Sequence, residues 1–185
     1  MAQAQAGQRA VFFVDAAHFV LGAFVSGLWC LARVWVRAPS GRQRFNVLGA
    51  LNAVTKQVIT VTNATYINSL SVCEWLDKLA ALPLNLPITV VLDNARYPCC
   101  ELVKTHAEKL HIEWLFLPTY SPNLNLIERL WKFVKKQCLY AKYSPNFSSF
   151  MNAIQGCLDD THTIHQTALN SLLSLNFQTL QKAQL

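Results

Sequence analysis

The chain has 185 residues, 52% of them hydrophobic and 14% charged, with a formal net charge of +6. That length suits one domain of ordinary size, the apolar share excludes a disordered chain, and the charge favours an anionic partner, nucleic acid first. The polar opening, Met1 to Arg9, has no apolar segment and is read as carrying no signal peptide. Phe19–Ala32 lacks charge but is too short to span a bilayer, so no membrane association is expected. The six cysteines form no C-x-x-C pair, which excludes a zinc framework; they are read as reduced, mostly buried thiols.

In chain order, residues 1–10 are expected as a disordered tail. Val11–Val14 barely alternates and predicts a strand buried on both faces, with Asp15 as its last or next-to-last residue. Alone, Asp15 would be an ordinary polar strand end. His18 is read as a hydrogen-bonded core or edge histidine rather than a ligand. Phe19–Val36 predicts a second strand, with turns near Gly22 and Gly27. Arg33, Arg37, Arg42 and Arg44 gather around Pro39-Ser40-Gly41 as a basic hairpin tip. A solvated loop and a phosphate-binding tip both fit this cluster, since arginine forks match phosphate oxygens.

Phe45–Ala53 and Gln57–Thr62 predict a further strand pairing. Asn68–Leu82 predicts an amphipathic helix ended by Pro83 and Pro87, with Trp75 in the core. Ile88–Leu92 is a short β-rich run that ends in Asp93-Asn94. It is read as parallel to the first strand, so Asp93 falls at the carboxyl end, where open α/β sheets bind ligands. Glu101–Leu110 predicts a helix and His111–Leu117 the last strand. Phe147–Asp159 and Thr167–Leu180 predict two covering helices. His162 and His165 have metal-like spacing but no carboxylate or cysteine at useful spacing beside them, so surface placement is expected.

The stretch from Leu117 to Gln137 is the most informative. Pro118 and Pro122 stop the last strand, and Asn125 with Glu128 three residues later reads as a capping box. Ile127, Leu130, Phe133, Val134 and Cys138 then recur at helical spacing, with Glu128, Lys132, Lys135 and Lys136 on the other side. Two strands that each deliver an aspartate and a helix that delivers a glutamate can gather three carboxylates. Such a cluster repels itself and is normally explained by a divalent cation.

These pieces resemble the catalytic domain of mariner-like superfamily DDE transposases, in particular their bacterial insertion-sequence relatives. The resemblance rests on Phe13-Val-Asp-Ala-Ala-His18, Asn46-Val-Leu-Gly-Ala-Leu-Asn52, Val91-Leu-Asp-Asn-Ala95 and Leu117-Pro-Thr-Tyr-Ser-Pro-Asn-Leu-Asn-Leu-Ile-Glu-Arg-Leu-Trp131. The 34 residues between Asp93 and Glu128 match the spacing typical of that group. The resemblance covers about Val11 to Lys136.

It implies an α/β, RNase H-like (retroviral-integrase-like) fold, with a mixed central sheet flanked by helices. The core would be 11–139, with 140–185 a helical extension of the same domain. Asp15, Asp93 and Glu128 would be catalytic and would hold two Mg²⁺ ions, with Mn²⁺ as substitute, supported by Asn94 and Asn125. Arg33, Arg37, Arg42, Arg44, Lys132, Lys135 and Lys136 would contact double-stranded DNA, at element ends and at the target. The implied activity is metal-dependent DNA cleavage and strand transfer, in a bacterial, nucleoid-associated setting and as a homodimer on DNA. Relatives carry an N-terminal helix-turn-helix region that binds element ends; here it is expected on a separate chain or missing. The alternative reading is an inactive remnant that binds DNA or a partner. The sequence departs from many relatives at Leu126, where they have proline at the first helical position.

Overall fold

A computed structural model of the chain describes residues 1–22, 31, 35, 43–93, 100–118 and 121–177. Most of strand two as expected, together with Arg33, Arg37, Arg42 and Asn94, lies outside the described residues.

The first residues form a helical turn, α1 (Ala2–Gln5), rather than the expected disordered tail, because Ala4 is buried against the core. Five strands follow: β1 (Ala10–Val20), β2 (Arg44–Asn52), β3 (Val58–Asn63), β4 (Ile88–Leu92) and β5 (Ile112–Phe116). They form one sheet in the order β3-β2-β1-β4-β5. β1, β2 and β3 pair antiparallel, and β4 and β5 continue parallel to β1. Parallel strands need a crossover, which α2 (Ser69–Ala80) and α3 (Glu101–Lys109) supply.

β1 runs on well past the expected Val11–Val14. Its antiparallel register with β2 continues from Phe12↔Asn52 to Val20↔Arg44, so Asp15 sits mid-strand. The parallel register with β4, however, ends at Val14↔Leu92. Asp15 is therefore the first residue of β1 beyond its β4 partner, and Asp93 is the first residue after β4. The expected strand end is real on one side of β1 only.

Alternation along the strands splits the core between the two sheet faces. Phe12, Val14, Leu48 and Val90 face Trp75, Leu76 and Leu79 of α2 and Val103 and Ala107 of α3. Val11, Phe13, Val47 and Leu51 face the other layer. That layer holds α4 (Ile127–Val134), a π-helical turn that extends it over Lys135–Leu139, α5 (Phe147–Asp159) and α6 (Gln166–Leu172). All five expected stripe residues of α4 are buried. Asn68 caps α2 by accepting from Ser71 N, and Asn52 Oδ1 accepts from Val54 N and Thr55 N in the β2–β3 turn. Among the described residues, no helix is long and apolar enough to cross a membrane.

Candidate active site

Asp15 faces α4. Trp131 on that helix donates its indole N–H to Asp15 Oδ2 at 3.0 Å. The close approach has a local cause. The cross-strand partner of Asp15 is Gly49, and a Cβ at Gly49 would lie 2.6 Å and 2.8 Å from Trp131 ring carbons. Glycine leaves the width of the indole above the sheet, and Phe19 packs edge-on against the ring at 6.3 Å. Trp131 was not among the expected site residues. Its signal was in the sequence all the same, because it stands three positions after Glu128 and four after Ile127 on one helix.

Glu128 lies in the first turn of α4. The capping box expected there is absent: α4 carries no side-chain cap, and its N-cap position is Leu126 in helical conformation. Asn125 is instead almost fully buried and donates Nδ2 to the Val14 carbonyl at 3.1 Å. Burial decides this, because a buried carboxamide in reach of a strand carbonyl bonds to it rather than to its own helix. The bond pins the start of α4 to β1 one residue before Asp15.

The three carboxylates interact electrostatically. Burial pushes Asp15 above the ordinary carboxylate range, and Asp93 adds repulsion; the bonds from Ala16 and Trp131 and the charge of His18 pull it back. Burial likewise raises Asp93. Glu128 is raised by burial and then by both Asp15 and Asp93, with Lys132 and Lys135 opposing. Asp93 Oδ1 is buried and has no hydrogen-bond partner. Among the described residues, no three His, Cys, Asp or Glu side chains are packed tightly enough to enclose a metal ion by themselves.

The surroundings of the three carboxylates sort the remaining candidates. Lys132 is exposed, and Lys135 sits 6.0 Å from the Phe19 ring centroid; both act on Glu128. Lys136 is exposed but is not among the charges that act on Glu128. Arg44 lines a separate groove with Gln43, Thr65 and Tyr66. His18 bonds through Nδ1 to Asn46 Oδ1 at 2.7 Å, and Asn46 continues the row to Asn63. It also lines a cavity of about 120 Å³ with Asp15, Asp93, Trp75 and Trp114. His162 accepts from Val58 N, and His165 packs edge-on against Phe133.

The DDE superfamily endonuclease family matches this chain over residues 11–151. The chain belongs to that family. Solved structures carry the fold further. A pre-cleavage Mos1 transpososome is 13% identical at TM-score 0.62, covering 93% of this chain and 57% of that one. The Mos1 mariner paired end complex with Mn is 13% identical at TM-score 0.61, covering 92% and 57%. The simian T-cell lymphotropic virus intasome in complex with PP2A regulatory subunit B56 gamma is 18% identical at TM-score 0.59, covering 83% and 48%. This DDE endonuclease domain therefore has the RNase H-like fold expected from its sequence, and it spans about half the length of the chains it matches. No curated protein matches it in sequence.

Proposed function

We propose that this chain is the catalytic domain of a DDE transposase, which cuts DNA at the ends of an insertion sequence and joins those ends to target DNA. The observation that supports this best is that the charges of Asp15 and Asp93 both raise Glu128, so carboxylates from two strands and a helix lie within electrostatic reach of one another. Family membership supplies the endonuclease chemistry.

The residues fit a hard divalent cation. All three donors are carboxylates raised by burial or mutual repulsion, and one buried oxygen of Asp93 has no partner. Mg²⁺ needs few protein carboxylates and keeps water and phosphate in its shell. Asp15, Asp93 and Glu128 would hold two Mg²⁺ ions, or Mn²⁺ in their place. Bound there, they would neutralise phosphate charge and acidify water or a 3′-hydroxyl. Trp131 fixes the Asp15 carboxylate, and Asn125 fixes the depth at which α4 presents Glu128. Lys132 and Lys135 oppose the rise at Glu128 and offer cations to DNA phosphates.

The same proposal includes a homodimer on DNA, element-end recognition by a helix-turn-helix half, and a place of action at the bacterial nucleoid. The intact acidic group favours an enzyme over an inactive remnant. The test is nicking of plasmid DNA and joining of 3′-hydroxyl oligonucleotides in Mg²⁺, by wild type and Asp93→Asn. Metal-dependent nicking lost in the variant is expected. Binding without nicking by the wild type would favour the remnant, and equal nicking by both proteins would overturn the site.

A further inference from the structure

Arg129 adjoins Glu128, yet its guanidinium is engaged with main chain. Nη1 donates to the carbonyls of Leu172 at 3.3 Å and Ser174 at 2.8 Å, and Nη2 to that of Asn176 at 2.6 Å. Its Cζ stands 5.7 Å from the Phe177 ring centroid, and that ring lies 5.9 Å from Phe13 on β1. Carbonyls at and beyond a helix end lack intrahelical partners, and a planar arginine fork serves several at once. The contacts clasp the segment after α6 to the helix that carries Glu128.

The clasp makes a groove. It is lined by Glu128, Arg129 and Lys132 of α4, by Leu172 and Asn176, and by Asn123 and Asn125. Its volume is about 690 Å³, within the ~300–1,000 Å³ of clefts that hold small ligands and far too little for a duplex. The lining carries two cations, one carboxylate at the acidic site and carboxamides. Lysine and amide donors of this kind position a sugar–phosphate backbone without reading its sequence.

We propose that this groove receives a single DNA strand running past Glu128, and that Arg129 is the positioning residue that holds its outer wall. The inference rests on the DNA-cleavage reading above. It extends that reading to a segment and an arginine outside the acidic group.

The test uses the whole chain with Mg²⁺ and a duplex carrying a single-stranded 3′ tail. A photo-crosslinking residue replaces Asn176, or, as control, Lys104 on α3 across the sheet. Position 176 should crosslink to the tail and position 104 should not. Arg129→Lys keeps the charge but replaces the planar fork by a compact ammonium, which does not span carbonyls spread from Leu172 to Asn176. It should weaken the crosslink at 176 and speed hydrogen exchange of residues 173–177 about tenfold in the absence of DNA, by easier local opening. Unchanged exchange would overturn the clasp. A chain that binds and nicks DNA but does not crosslink at 176 overturns the groove alone. A chain that binds no DNA overturns the function and the groove with it.

Discussion

The indole N–H of Trp131 meets the carboxylate of Asp15 at 3.0 Å across 116 positions of sequence. Among the described residues it is the one side-chain hydrogen bond that joins α4 to Asp15, Asp93 or Glu128, and it opposes the effect of burial on Asp15. Trp131→Phe keeps most of the ring and removes the donor. Loss of a hydrogen bond to a charged group should cost about 1.5–3 kcal/mol. The Asp15 carboxyl should also titrate still higher. Urea unfolding at neutral pH and a carboxyl NMR titration check the two effects, and an unmoved Asp15 titration would refute the role given to the indole.

Stability should fall as pH rises through the acidic group. Asp15, Asp93 and Glu128 all have folded values above their ordinary ones, so the folded state binds more protons than the unfolded state. Stability therefore decreases from the ordinary carboxylate values of 3.8 and 4.5 upward, until the raised folded values are passed. Mg²⁺ should reverse much of this loss near neutral pH by binding the folded state alone. Asp93→Asn should show a shallower pH dependence and little response to Mg²⁺. Thermal melts across pH, with and without Mg²⁺, decide it; coincident wild-type curves would mean that no site assembles at that concentration.

DNA affinity should fall linearly in log K against log salt, as phosphate contacts release counterions. Lys132 and Lys135 both act on Glu128, so a strand that reaches Glu128 comes within range of both charges. Replacing both by Ala should flatten the slope by about one unit for each lost contact, equally for all duplex sequences. Identical slopes would assign the contacts elsewhere, Arg44 on β2 among them.

Asn125→Leu should leave the Val14 carbonyl buried and unpaired, at a cost of about 1–3 kcal/mol. The carboxamide oxygen already lacks a partner, so only the donor is lost. Because the bond sets how α4 meets β1, the Mg²⁺-induced gain in melting temperature should shrink as well. A variant that loses stability but keeps the full Mg²⁺ response would reduce Asn125 to a packing role.

Much of this was legible from residue order. Ile88–Leu92 and Phe147–Asp159 fall where their apolar patterns put them. The length of β1 was not legible, because Asp15 and His18 look like a strand end until β2 is known to run alongside them. Asn125 misled for a related reason. Its spacing to Glu128 fits a capping box, but burial beside Val14 offered its amide a stronger partner. Arg129 reads as one more surface cation, and its partners are carbonyls 43 to 47 residues away, which carry no side-chain signal.

Gly49 gives the acidic group a dependency that no inspection of its three carboxylates reveals. A copy of this gene with alanine at that codon would still encode Asp15, Asp93 and Glu128, and would pass as intact by its motif. The new methyl group would nonetheless meet the Trp131 ring at under 3 Å and displace the donor that holds Asp15. Counting the three carboxylates alone would therefore miss a lesion that disturbs the setting of Asp15. Residue 49 belongs beside the acidic three in any such census.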